Sequence, residues 1–188
     1  KAATTTTVLV LGGYTIEPGA NLAGVHLANF GMYMANLRNA DLTGANLAGA
    51  NLSGAVLEYA NLSEANLVGA NLSGAFLKGA NLKGAKMEGA NLSQARLMTA
   101  NLSYANLKSA NLEGILLRDT DLRYANLSGT ILKWMDLSDS YLLGINLSGA
   151  DLRHARLDNN YLTGANLSRA NLCEASLLGS DLKGADFS

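Results

Sequence analysis

The chain has 188 residues, with 14 Lys and Arg set against 15 Asp and Glu, 20 Gly, one Pro and one Cys. Near-neutral charge excludes a strong electrostatic footprint for nucleic acid or an anionic membrane. The lone Cys173 excludes an internal disulfide and a cysteine-based metal cluster.

The first stretch, residues 1–19, is rich in Thr and Val and reads as an extended N-terminal segment that enters or caps the first coil of a repeat beginning at Ala20. Lys1 to Thr7 is a candidate disordered lead. Its longest apolar run, Val8 to Leu11, is far short of a membrane span, and no signal-peptide pattern is visible. The chain starts at Lys1 rather than Met, so a processed or partial product is expected. Pro18-Gly19 suits the centre of a type II turn, in which the third residue takes positive φ.

From Ala20 onward one register rules. Every residue whose number ends in 2 or 7, from Leu22 to Phe187, is Leu, Met or Phe, which makes 34 consecutive sites. Two positions earlier, 24 of the 34 residues are Ala; one position earlier, 22 are Asn or Asp. Of the 20 glycines, 16 fall two positions after the Leu. A five-residue period fits neither an α-helix, in which successive Leu would wander around the axis, nor a flat strand, in which an odd period alternates faces. It becomes consistent if the chain turns a corner in every pentad. Ala and Leu, two apart, then share the inner side of a short extended segment, and Asn between them points out. The last two residues make the corner, where Gly accepts positive φ cheaply. Four right-angled corners close a lap of 20 residues, and laps stack at roughly 4.8 Å.

Pentads such as "ANLSG", "ADLRH" and "ANLKG" resemble the A(D/N)LXX consensus of pentapeptide-repeat proteins, and the resemblance covers residues 20–188. It implies an all-β chain folded as a right-handed quadrilateral β-helix of about 20 residues per coil and about 8.5 coils, with Leu and the preceding small residue facing inward. The handedness comes from the resemblance alone. Each coil touches only its neighbours, so stability is expected to be a sum of coil and interface terms.

A 20-residue lap lets outward columns be read directly. In the column Asn36, Val56, Phe76, Arg96, Leu116, Asp136, Arg156, Ser176, six of eight members break the Asn/Asp rule, against 6 of 26 elsewhere. Val56, Phe76 and Leu116 would line one face as a candidate partner-binding strip. A second deviation spans Ile115 to Tyr161. Ile115, Met135 and Ile145 replace inward Ala, while Ile131, Trp134, Tyr141 and Tyr161 take outward sites, with Tyr104 and Tyr124 on the face of Tyr141 and Tyr161. Trp and Tyr are favoured at interface hot spots; the plainer reading is that larger inward residues bulge the coil and the aromatics pack over it. Asn160, at an inward site, would need hydrogen-bond partners. Arg38, Glu58 and Lys78 suggest a modest surface ion-pair ladder. After Phe187 only Ser188 remains, so Leu172, Leu177, Leu182 and Phe187 are candidates for end-to-end stacking on another copy.

Catalysis finds little support. Cys173, His154 and Glu174 fall near one another, but on a convex flank without a cleft. No phosphate-binding, zinc or HExxH spacing occurs, and the eight Asn-Leu-Ser triplets follow from the repeat itself. No cofactor or metal is expected. The reading is a non-catalytic rigid solenoid scaffold that mediates protein–protein interaction, with an unidentified protein partner and neither nucleic acid nor membrane as partner. Two alternatives stand beside it. One is a structural stacking or filament element. The other is a DNA-mimicking gyrase-binding role, which the resemblance brings in through the fluoroquinolone-resistance members and which near-neutral charge disfavours. The resemblance points to bacteria, especially cyanobacteria. It favours a cytoplasmic location, with periplasm or thylakoid lumen as the other choices.

Overall fold

A computed structural model describes residues 9–138 and 140–188; the expectation for Lys1 to Thr7 lies outside them. The chain opens with a two-stranded antiparallel hairpin, β1 (Leu9–Leu11) and β2 (Tyr14–Ile16), in the register Leu9 to Ile16 and Leu11 to Tyr14. Gly12 and Gly13 connect the strands, both with positive φ, 58° and 85°, as a two-residue hairpin loop of matching twist requires. Ile16 is buried, and Leu9, Leu11 and Phe30 pack against the core, so the hairpin covers the first lap. The Glu17 carbonyl accepts from the Ala20 N–H at 3.2 Å, with Gly19 at φ 72°. That closes the turn into the repeats.

Beyond Ala20 the chain is a four-sided coil. Parallel bridges pair outward positions with the residue 20 further on along most of the stack, from Asn21–Asp41 to Asn166–Asp186. Three backbone bonds tie each regular side to the next lap: Leu22 N–H to Asp41 C=O (2.7 Å), Gly24 N–H to Thr43 C=O (2.8 Å) and Asp41 N–H back to Ala20 C=O (2.9 Å). A fourth, local bond runs from each inward small residue to the carbonyl three before it, as in Ala45 N–H to Leu42 C=O at 3.0 Å, and sets the corner. The inward Leu and Ala form one continuous core, fully buried from Leu27 through Leu107 apart from slight exposure at Ala35. Ala at the inner corner leaves the narrow axis free for Leu, and strand-edge amides pair along the regular stack, which removes the edge problem there.

Outward Asn and Asp do two jobs. Their Oδ1 accepts the amide two residues on, as in Asn81 to Lys83 at 3.2 Å, fixing the corner as an Asx turn. The Asn Nδ2 reaches the Asn of the lap before, as in Asn81 to Asn61 at 3.0 Å and Asn146 to Asn126 at 3.1 Å. The corner is built on positive φ, but glycine does not always supply it. Among the described residues, sixteen that are not glycine hold the same left-handed conformation, including Tyr59, Glu64, Tyr124 and Trp134. A left-handed L-residue costs roughly 1–2 kcal/mol, and the ladders above and below hold the corner against that cost. What Gly adds is space. The Tyr59 ring lies over Gly79, where a Cβ would sit 2.6 Å from ring carbons, and the Tyr124 ring lies likewise over Gly144 at 2.5 Å.

Candidate interaction site

The stack parts along a seam. Its four sides run through Asn101–Asp121–Tyr141 (first), Asn106–Asn126–Asn146 (second), Asn111–Ile131–Asp151 (third) and Leu116–Asp136–Arg156 (fourth). On the first two sides every bridge across residues 101–146 is present. On the third and fourth, among the described residues, no bridge joins Asn111 to Ile131 or Leu116 to Asp136, although Ile131–Asp151 and Asp136–Arg156 pair normally above them. Across these two sides, among the described residues, six backbone bonds that the regular pattern calls for are missing. They would run from the N–H groups of Leu112, Gly114, Leu117 and Asp119 to the carbonyls of Ile131, Lys133, Asp136 and Ser138, and from Ile131 and Asp136 N–H to Ala110 and Ile115 C=O. The solenoid is thus hinged along two sides and open on the other two.

The inner column explains the opening. It reads Ala95, Ile115, Met135, Ala155, so two large side chains stand one above the other where the column below carries Ala on Ala. Ile115 stays buried, and Met135 is only partly covered. Overfilling a close-packed axis forces the backbone to move, and here it moves by parting the laps. The resulting cleft has a volume of about 870 Å³ and is lined by Met98, Leu116, Leu117, Arg118, Trp134 and Met135, among others. Charge of both signs surrounds it. Asp136 pairs with Arg156 at 3.2 Å. The Ser138 hydroxyl, helped by the Ser138 amide and the Arg156 charge, holds the Asp136 carboxyl below the usual carboxylate range.

A second irregularity lies just above, at the inward polar column Ser140, Asn160, Ser180. Asn160 is buried and fully used: its Nδ2 donates to the carbonyls of Leu137 and Leu157, both at 2.8 Å, and its Oδ1 accepts the Ser140 N–H at 2.9 Å. The amide is inserted into the corner bond that Ser140 would otherwise make to Leu137. Ser180 repeats the device one lap on, accepting from Asn160 N–H at 3.1 Å and donating to Leu157 C=O at 2.6 Å. The Ser140 hydroxyl is buried without a partner among the described residues.

The sequence-derived candidates fall in distinct places. Val56, Phe76, Arg96 and Leu116 bridge in succession on the fourth side, yet they do not form one open apolar strip. Val56 and Phe76 are half-buried, and the Arg96 guanidinium lies over the Phe76 ring at 4.9 Å. Leu116, 49% exposed, belongs instead to the lip of the cleft. Trp134 faces it from the opposite lip, 67% exposed, with its indole stacked on the His154 imidazole at 3.7 Å and 3° and the Lys133 ammonium 5.8 Å away. His154 Nδ1 in turn meets Glu174 at 2.9 Å. Tyr141 and Tyr161 are exposed on the first side, where the rings that stack are Tyr104 and Tyr124, at 5.0 Å. Leu172, Leu177 and Leu182 are partly buried in the last lap, and Phe187 is half exposed. Cys173 is exposed and contacts His154 through its backbone carbonyl. Among the described residues, no group of His, Cys, Asp and Glu could hold a metal ion. Sequence reasoning missed the seam, whose signal is the pair Ile115 and Met135 spaced by one lap.

A family model described as pentapeptide repeats matches the chain in 8 copies, over residues 19–58, 35–74, 60–98, 100–139, 131–159 and 150–188. Among solved structures the chain is similar to HetL, a pentapeptide repeat protein involved in heterocyst differentiation regulation from the cyanobacterium Nostoc sp. strain PCC 7120. Identity is 34%, the alignment covers 90% of this chain and 87% of that one, and the TM-score is 0.65. It is also similar to a trypsin-treated form of QnrB1, a plasmid-mediated fluoroquinolone resistance protein, at 18% identity, 92% and 88% coverage and a TM-score of 0.66, a likeness of fold alone. The comparison with curated proteins finds no match.

Proposed function

The chain belongs to the pentapeptide-repeat family and has its right-handed quadrilateral β-helix, and from that premise we propose that it serves as a rigid, non-catalytic scaffold that engages a protein partner through its outer faces. The observation that carries this reading is the exposed aromatic set on two faces: Trp134 stacked on His154 at the seam, and Tyr104 on Tyr124 with Tyr141 and Tyr161 on the first side. The Trp134, Tyr104 and Tyr124 backbones each donate to the following lap. Such aromatics meet a partner with little rotamer entropy left to lose, which is the condition for an interface hot spot. The family match indicates no catalytic family, and the histidine–carboxylate contact of His154 with Glu174 lies on the outer surface rather than in the cleft. A DNA-mimicking role calls for a strongly acidic rod, and a net charge of −1 with both signs interspersed works against it.

The test is capture on immobilised native chain beside the variants Trp134→Ser and Phe76→Ser, with retained proteins identified by mass spectrometry. A protein held by the native chain and lost with Trp134→Ser supports the reading. Because Phe76 is half-buried beneath Arg96, Phe76→Ser should weaken capture less. If both variants retain what the native chain retains, the outer aromatic faces are not the interface.

A further inference from the structure

We infer that the seam is a docking slot for an extended polypeptide segment of a partner protein, which enters as an additional half-lap and pairs with both lips through its backbone. The inference rests on the scaffold reading above and specifies how the partner is held. The two lips are complementary in one particular way. The lower lip presents the free N–H groups of Leu112, Gly114, Leu117 and Asp119 and the free carbonyls of Ala110 and Ile115; the upper presents the carbonyls of Ile131, Lys133, Asp136 and Ser138 and the N–H groups of Ile131 and Asp136. These are the two facing edges of a parallel ladder, unpaired over two sides. A strand running in the chain's own direction satisfies both edges at once, accepting where the lower lip donates and donating where the upper lip accepts. A compact small molecule cannot do this along two sides of a square.

Side chains agree with that occupant. The slot's inner wall is Ile115, Leu117 and Met135, and its rim carries Arg118 and Asp119 below with Lys133 and Asp136 above. The wall suits apolar residues on the inward-facing positions of the guest, and the rim of both signs suits a guest without strong net charge. The segment is expected to span about ten residues, five per open side, with small and branched apolar residues two apart, since that is the pattern by which this chain fills the same two sides elsewhere.

The experiment uses the full chain and a labelled ten-residue probe, Ala-Asn-Leu-Ser-Gln-Ala-Arg-Leu-Met-Thr, which reproduces residues 90–99 from the third and fourth sides of a regular lap. Fluorescence anisotropy should show saturable binding, weakened at least tenfold when alternate backbone amides of the probe are N-methylated. Hydrogen exchange should slow at Leu112, Gly114, Leu117 and Asp119 when the unmethylated probe is present. The double variant I115A/M135A, which restores Ala on Ala in the inner column, should lose the probe. Absence of binding to the native chain, or equal binding of the N-methylated probe, overturns the inference. So does probe binding that leaves those four amides unprotected. The scaffold reading fails on a different result: capture of partners indifferent to Trp134→Ser, whatever the probe does.

Discussion

The seam should divide the solenoid into two blocks that unfold separately. The lost pairing amounts to six backbone hydrogen bonds, each worth about 0.5–1.5 kcal/mol net, so coupling between the laps at 110–119 and 130–139 is weaker than at a regular interface by roughly 3–9 kcal/mol. In a stack whose cooperativity comes only from neighbouring laps, a deficit of that size permits one block to melt while the other stands. Leu152→Ala and Leu82→Ala perturb one block each, and both side chains are fully buried. With paired laps on either side limiting collapse, each substitution should cost about 3–5 kcal/mol. At a urea slope of about 1–2 kcal/mol/M for a block of this size, that is a midpoint shift of roughly 1.5–5 M. Trp134 is the single tryptophan and lies above the seam, so its fluorescence follows the C-terminal block, while far-UV circular dichroism follows both. Leu152→Ala should move the fluorescence transition and leave the N-terminal part of the dichroism curve in place; Leu82→Ala should do the reverse. Coincident transitions in the native chain, with each variant shifting both signals equally, would refute the two-block reasoning.

Three further outcomes are expected. Gly69→Ala meets nothing within 4 Å and should lose only the left-handed penalty of roughly 1–2 kcal/mol; Gly144→Ala must also displace the Tyr124 ring, so its thermal melt should fall further and its near-UV dichroism should lose the Tyr104–Tyr124 signal. Asn160→Asp places a carboxylate against the carbonyls of Leu137 and Leu157; by analogy with an uncompensated buried charge it should cost about 3–5 kcal/mol at neutral pH, a loss that shrinks in acid as the group protonates, measured by urea titration at pH 7 and pH 3. Hydrogen bonding and charge from Arg153 hold the Asp151 carboxyl at about 2, below its unfolded value of about 3.9. The fold therefore favours the carboxylate. The stabilisation is fully present above about pH 4 and is lost as pH falls through about 2, so melting temperatures of Asp151→Asn should show a shallower acid decline than those of the native chain.

The register of Leu and Ala was legible in the sequence because burial is periodic there: a residue that must face inward at every fifth position leaves an unbroken trace from Leu22 to Leu182. The outward role of Asn was legible for the same reason, and the need of Asn160 for partners followed from its inward number. Relations a lap apart were legible where they join outward side chains, as with Arg38 and Glu58 or Tyr104 and Tyr124; what escaped was the parting of the backbone. Ile115 and Met135 read as large inward residues that bulge the coil; that superposing them unpairs two whole sides rather than swelling one lap is a matter of packing that residue type does not record. The corner chemistry was half legible. Glycine marked its position, but Tyr59, Glu64 and Trp134 occupy the same backbone conformation, held there by ladders that no local propensity records. The half-burial of Val56 and Phe76 beneath neighbours such as Arg96 likewise depends on side-chain reach across laps rather than on column membership.

The coil-to-coil bonds carry a final implication. On every regular side two N–H groups point toward the following lap and one points back, as Leu22, Gly24 and Asp41 illustrate. The stack is therefore an arrow, with one face donor-rich and the other acceptor-rich. The acceptor-rich face at the first lap is covered by the β1–β2 hairpin, which leaves the donor-rich face of Leu172, Leu177, Leu182 and Phe187, and two such faces brought together would oppose like with like. The two ends of the stack are therefore chemically distinct, one closed by a hairpin and the other rich in backbone donors.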